Sequence, residues 1–343
     1  MVTGGDGRVY AVWEERLSSG RSILRFSVGV NGIWSTPTDF FLGEEPDLAV
    51  GPDGQVHLVY ANRFLGNYEI YHAVWTGSGW SAAENVSQTS GPSTQPAIAV
   101  KSDNSLFVVW TDSTEGFNRI YSAWRAGGVW NTYFVPHSSG GTAPDVTVGE
   151  GDRVWVTWQV LDDDRYEVYA TFGDGRNNWN PWGAMNLSTS RDTDSIRPQL
   201  AGIRDKGAFI VWQENIGAGE VYYADNLEYG DYWSEPINLS QNTTRSEQPS
   251  IAVSTVGDVH VIWNEDSQLL HRYRISLSPT WSSSDAIDNA PNANEVTLAV
   301  APNRSLHVLW SQPVAAENRD IYYCNGAWDW PNHLWLPLLM RSP

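Results

Sequence analysis

One cysteine, Cys324, stands in 343 residues, so no internal disulfide can tie this chain together. No Cys/His cluster has zinc-ligand spacing either, which leaves packing to hold the fold. Lysine is nearly missing: Lys101 and Lys206 are the two lysines among 21 basic residues, against 40 Asp and Glu, for a formal charge of −19. That balance argues against nucleic acid or anionic lipid as a partner and favours cations or a basic surface. No run of 18 apolar residues exists, so direct membrane insertion is not expected. No charged n-region or apolar h-region precedes the first repeat. Nucleophile elbow, P-loop and dinucleotide fingerprint are all missing.

Tryptophan and repetition are what the chain has in excess. Seven copies of one pattern run along it, each with a Trp, or once Tyr, at Trp13, Tyr60, Trp110, Trp158, Trp212, Trp263 and Trp310, at intervals of 47, 50, 48, 54, 51 and 47 residues. Four strand-like segments recur in each copy. The first is typified by Pro46-Asp47-Leu48-Ala49-Val50 and Pro96-Ala97-Ile98-Ala99-Val100, and the second by Leu106-Phe107-Val108-Val109-Trp110. The third carries Glu69-Ile70-Tyr71 or Glu220-Val221-Tyr222, and the outer one Trp80-Ser81 or Trp233-Ser234. Proline marks a strand start, because it offers no hydrogen-bond donor. Small residues at Ala49, Ala99, Thr147, Ala201, Ala252 and Ala299 suit a strand near a convergent axis. The nearly unbroken apolar second strand requires burial on both faces.

A period of this length with four strands per copy predicts an all-β, seven-bladed β-propeller of four-stranded antiparallel blades. It forms one domain over 1–343, with blades near 1–43, 44–93, 94–141, 142–195, 196–246, 247–293 and 294–343. The first copy keeps only Met1-Val2-Thr3 for its inner strand, so ring closure is expected from packing of the first and last blades, helped by the tail Trp335-Leu336-Pro337-Leu338-Leu339-Met340. Thirteen of the 19 tryptophans fill two repeated positions and read as packing residues; Trp75, Trp124, Trp155, Trp182, Trp328 and Trp335 stand outside the rule.

The Gly-x-Val-His-Val-Val-Trp and Ile-Tyr-Tyr…Gly-x-Trp-Ser rhythm resembles bacterial propellers related to sialidases and to proteins with BNR-type repeats. The resemblance spans nearly the whole chain and is one of architecture. It implies a fold in which sialidases carry an arginine triad, a Tyr-Glu pair, an Asp acid/base and Ser-x-Asp-x-Gly-x-x-Trp boxes. This sequence has no such box, and the residue two before the proline is Glu44, Thr94, Thr142, Ile196 or Glu247, never Arg; Arg197-Pro198 comes nearest. The sialidase catalytic motifs are thus not reproduced, and a shared fold does not carry chemistry with it.

Candidate functional residues come from a polar position two beyond the repeated Trp: Glu15, Asn62, Asp112, Glu214, Glu265 and Gln312, with Val160 the exception. Strands ending on one face would gather these around a channel mouth, where carboxylates bind cations or sugar hydroxyls, or act as acid and base on a glycoside. The structural alternative is that each satisfies backbone donors of a neighbouring loop. Trp75, Trp124 and Trp182 are candidates for stacking on a sugar, with outer-edge packing as the alternative. Asp162, Asp163 and Asp164 form the densest acidic run; calcium is possible there, but EF-hand spacing is missing and a solvated loop fits as well. His57, His260 and His307 share a position filled elsewhere by Tyr10, Phe107, Trp155 and Phe209, which reads as packing. Sequons at Asn85, Asn186, Asn238, Asn242 and Asn303 follow from the repeat.

The sequence therefore predicts a non-catalytic, extracellular or cell-surface binding module that engages a glycan or a protein through one loop face. A glycoside hydrolase or lyase, and a structural component of a surface assembly, are the alternatives. No cofactor is expected.

Overall fold

The computed structural model describes residues 1–63, 66–176, 178–188, 190, 192–227, 232–287, 290–313, 319–326 and 338–340. Trp328, Trp330, Pro331 and Trp335, with most of the tail expected to assist closure, lie outside them. Seven antiparallel sheets follow one another along the chain, each built inner strand first and outer strand last. The third blade runs Ser93–Val100, Leu106–Asp112, Arg119–Ala126 and Val129–Ser139. Asp103 turns its first hairpin by accepting the Ser105 N–H at 2.9 Å, while Asn104 takes the left-handed position at φ 61°. Each inner strand contacts the next, and Val2–Thr3 touches both Glu44–Val50 and Asn294–Val300, which completes the circle.

Faces of neighbouring blades bury the second strand from both sides, as its apolar run requires. Every residue of Leu106–Asp112 is buried, and Trp110, Trp158, Trp212 and Trp263 are 0 % exposed. Closure uses no exchanged strand among the described residues. Val2–Thr3 pairs with Val9–Tyr10 in its own blade, and Ala11, Trp13 and Trp34 of that blade pack on Leu309, Ile321 and Tyr323 of the last. Thr3 Oγ1 also donates to Val300 O at 3.0 Å.

Two expectations need correcting. Proline does not begin the inner strand. In Ser93–Val100 it lies inside a β-bulge, where Gln95 and Pro96 together oppose Trp110; equivalent bulges place Glu45-Pro46 across from Tyr60 and Arg197-Pro198 across from Trp212. A bulge leaves one backbone nitrogen out of the ladder, so a residue without an N–H belongs there.

Nor does Trp-Ser sit on the outer strand in most blades. The outer strand is instead the following Glu84–Asn85, Met185–Asn186 or Ile237–Asn238. The serine after the Trp makes a side-chain imitation of a ladder: Ser81 N–H donates to Val74 O at 2.9 Å and its Oγ accepts the Val74 N–H at 3.0 Å. Ser35, Ser234 and Ser282 repeat this on Val28, Asp225 and Tyr273. The Asn-Leu-Ser serines do likewise, Ser188 Oγ accepting from Val168 N–H while donating to buried Glu167.

Candidate functional site

The bulges determine the candidate site. In six blades the first bulge residue is a non-glycine in the left-handed region: Glu45 (φ 53°), Gln95 (56°), Ala143 (49°), Arg197 (55°), Gln248 (54°) and Glu295 (51°). All six line one axial cavity of about 720 Å³, on the pole where the second strands end. A left-handed non-glycine residue costs on the order of 1–3 kcal/mol and persists only where its surroundings impose it.

Those surroundings are a belt of hydrogen bonds from blade to blade. Glu45 Oε2 accepts the Gln95 N–H at 2.6 Å, Gln95 Oε1 accepts the Ala143 N–H at 3.0 Å, and Gln248 Oε1 accepts the Glu295 N–H at 3.1 Å. Ala143 has no polar side chain to offer the next blade, and Gln159 substitutes by accepting the Arg197 N–H at 2.8 Å. Gln213 does the same for Gln248 at 3.2 Å, and Glu14 for Glu45 at 3.2 Å. Each amide spends its oxygen on this belt and carries two N–H donors besides.

Below the rim, Asp47 and Asp145 brace neighbouring inner strands. Asp47 bonds the N–H groups of Leu48 and Ile98 at 2.8 and 2.9 Å; Asp145 bonds those of Val146 and Leu200 at 2.8 and 2.7 Å. Each is half-buried in the channel wall, and that burial raises both carboxyls. Asp145 is pushed up to about 7, with repulsion from Asp47 adding to burial and the backbone bonds opposing it. Glu45 is also raised, chiefly by burial, with Glu44 and Glu14 adding to it. Its exposed position at the rim screens that effect.

The residues singled out by sequence go to different places. Asp112, Glu214, Glu265 and Gln312 each accept the Nε1–H of the indole two residues before, at 3.0, 2.6, 3.0 and 3.2 Å. Asp112 and Glu214 are 0 % and 1 % exposed, and their oxygens also take Ser93 and Thr89, or Ser190, Thr193 and Ser195. These acids clasp the interblade crossing to the second strand and do not face the cavity. Glu15 pairs with Arg25 at 3.0 Å, and Asn62 Nδ2 donates to Leu42 O at 2.6 Å beside a smaller cleft.

The tryptophans do not join them. Trp75 pairs with Val56 and Trp124 with Phe107, toward the opposite pole from Asn62 and Asp112. Trp75 packs on Phe26 at 4.7 Å between ring centroids, and the Arg176 guanidinium lies 4.7 Å from the Trp124 ring. Trp182 is 78 % exposed on the flank of the fourth blade. Asp163 and Asp164 fill the two left-handed positions of a hairpin turn, and Asp162 accepts from Tyr169 Oη at 2.8 Å. Among the described residues no group of three or more His, Cys, Asp or Glu is arranged to hold a metal. No helix there is long and apolar enough to cross a membrane. His57 and His260 each contact a second buried histidine, His72 and His271, at 3.1 Å, while His307 meets Tyr323 Oη at 2.6 Å.

Sequence reasoning passed over the rim. The available signal was the residue before each proline, polar in four of the five copies that keep that proline: Glu45, Gln95, Arg197 and Gln248.

No protein-family model matches this chain, and no curated protein sequence does. Solved structures share its fold. A leech intramolecular trans-sialidase, complexed with 2,7-anhydro-Neu5Ac, is 10 % identical with a TM-score of 0.55 over 78 % of this chain, which spans 64 % of that protein. The Hadza microbial sialidase Hz136 is 15 % identical, with a TM-score of 0.54 over 86 % of this chain and 71 % of its own. An α-L-arabinanase of Penicillium chrysogenum, complexed with arabinobiose, is 14 % identical, with a TM-score of 0.58 over 85 % of this chain and 96 % of its own. At such identities the likeness is one of architecture: the chain is a seven-bladed propeller of sialidase-like fold.

Proposed function

We propose that the protein binds a neutral carbohydrate at the axial mouth. The observation that carries this reading is the ring of six left-handed residues around one cavity, where the same strained backbone recurs from blade to blade and side chains are re-aimed. Amides at Gln95, Gln199 and Gln248, carboxylates at Glu45 and Glu295, and Arg197 give a wall rich in both donors and acceptors. Hydroxyls, which donate and accept at once, match such a wall. Arg197 is the one cationic side chain among the lining residues, against Glu45, Asp47, Asp145 and Glu295, so a polyhydroxylated ligand without charge fits better than an anionic one. A fold neighbour complexed with arabinobiose, a neutral disaccharide, agrees with it.

A glycan array tests this. Wild type should be retained on neutral oligosaccharides, and Arg197→Ala and Gln248→Ala should lose retention while keeping the wild-type circular dichroism. Retention unchanged in both folded variants would move the site elsewhere.

Hydrolysis is a second reading, favoured by two observations: fold neighbours that are glycosidases, and two carboxylates, Glu45 and Glu295, that line the same cavity. A pair of carboxyls flanking the scissile bond is what glycoside cleavage uses. Release of reducing sugar from arabino-oligosaccharides or aryl glycosides, abolished by Glu45→Gln or Glu295→Gln, would establish the enzyme over the binding module.

A further inference from the structure

Around the ring, one seam departs from its neighbours and opens. In the third, fifth and sixth blades the crossing is sealed by an indole, the acid two residues later and a serine: Trp110, Asp112 and Ser93; Trp212, Glu214 and Ser195; Trp263, Glu265 and Ser246. At the seam of the first and second blades these three positions are Tyr60, Asn62 and Gly43. Gly43 is required there, because a Cβ would stand 2.5 Å from Tyr60 Cδ2. With the seal missing, a cleft of about 230 Å³ opens, walled by Arg21, Ser22, Glu44, Asn62, Arg63 and Tyr68.

The fourth blade lacks the seal too, with Val160 and Gly141 at those positions; an added Cβ at Gly141 would meet Ser138 O, the Trp158 ring and Ile120 at 2.8 to 3.1 Å, as one at Gly43 would meet Tyr60 and Ala61 O at 2.5 to 3.2 Å.

We infer that this cleft is a second sugar subsite, continuous with the axial mouth and occupied by the next unit of a neutral oligosaccharide; the inference rests on the carbohydrate reading above. Glu44 walls the cleft and its chain neighbour Glu45 forms the rim, so a ligand passing over Glu45 enters the cleft without crossing a blade. The volume lies just under the roughly 300–1,000 Å³ of sites for drug-sized ligands, which suits a single sugar unit. Tyr68 contributes a ring face and a hydroxyl 3.4 Å from Glu44 Oε2. The Arg63 guanidinium lies over that ring at 5.9 Å from its centroid. Asn62, which lines the cleft, uses one amide N–H on Leu42 O and keeps a second N–H and an oxygen acceptor.

Ladders of one to four units of arabino-, xylo-, gluco- and galacto-oligosaccharides on one array, followed by titration of the retained series, test it. Wild type should gain about tenfold in affinity, some 1.4 kcal/mol, on lengthening from one unit to two or three. Tyr68→Ala and Asn62→Ala should lose that gain and keep single-unit affinity, whereas Arg197→Ala should weaken every length alike. A length gain intact in both folded cleft variants, or no gain in wild type that binds the single unit, overturns the subsite and leaves the rim reading standing. No retention of any ladder by wild type sinks the rim reading and the subsite together.

Discussion

Trp212 Nε1 donates to Glu214 Oε1 at 2.6 Å inside the ring, and the same carboxylate takes the hydroxyls of Ser190, Thr193 and Ser195. Glu214 is 1 % exposed, so the residue that sequence spacing offered as a ligand contact is a buried fastening of one blade to the next. Burial raises its carboxyl, and the four donors oppose that by stabilising the charged form.

Removing this acceptor should therefore be severe. Glu214→Ala strands an indole N–H and three hydroxyls, and each buried donor left without a partner costs about 1–3 kcal/mol. The hydroxyls can rotate toward other acceptors, so the expected loss is about 3 kcal/mol, read from urea unfolding. A loss under about 1 kcal/mol would show that the clasp does not hold the crossing.

The fourth blade offers the reverse experiment. Trp158 is fully buried, and its Nε1 has no hydrogen-bond partner among the described residues, because Val160 stands where the other blades have an acid or amide. Val160→Gln, by analogy with Gln312 beneath Trp310, should supply the acceptor and stabilise the fold by about 0.5–1.5 kcal/mol. Thermal unfolding that moves down in this variant would mean that the site has no room for the amide.

Acid should weaken the ring through its histidine pairs. Burial holds His57 near 4 and His72 near 3, and likewise His260 near 4 with His271 well below its usual value. Their folded pKa values lie below the unfolded value of 6.5, so the unfolded chain binds more protons and stability falls as pH drops from about 6.5 toward 4. Asp145, raised to about 7, has the opposite sign: its contribution is lost as pH rises through 7. Comparison of a variant with its parent at each pH cancels that term. The double change His57→Phe with His72→Ser, which reproduces the Phe107 and Ser122 of the next blade, should flatten the acid limb by up to about two protons. Parallel slopes for variant and parent would show that this pair is not what titrates.

The repeat made the blades legible, because the spacing of Trp13 through Trp310 and the apolar second strands follow from packing alone. The rim was not legible, for a physical reason. A residue before proline is expected to be extended, yet Glu45, Gln95, Ala143, Arg197 and Gln248 all lie at φ of 49–56°. What overrides the local preference is an acceptor from a neighbouring blade, 31 to 50 residues away for Glu45, Gln95, Ala143, Arg197 and Gln248, which captures the N–H turned out of the ladder. Asp112 and Glu214 misled in the opposite way. Their position along the strand was read correctly, but two residues beyond Trp110 and Trp212 is the same face of the strand, so alternation turns them toward the buried indoles and away from the cavity.

Ala143 isolates the cost of that left-handed backbone. It is the one member of the six without a polar side chain, so a change there leaves the belt intact, with Gln95 Oε1 still accepting its N–H. Ala→Gly inside a strand ordinarily destabilises by roughly 0.5–1 kcal/mol, because the unfolded chain gains freedom. Here glycine also removes the steric penalty of positive φ, about 1–2 kcal/mol for a residue with a Cβ. The second effect is the larger, so Ala143→Gly should be neutral to about 1 kcal/mol stabilising, while Ala143→Val, β-branched at the same φ, should destabilise by more than 1 kcal/mol. Chemical denaturation of both variants decides it. A glycine variant that loses 1 kcal/mol would mean that the bulge is relaxed, and that the ring of strained residues marks the mouth for no energetic reason.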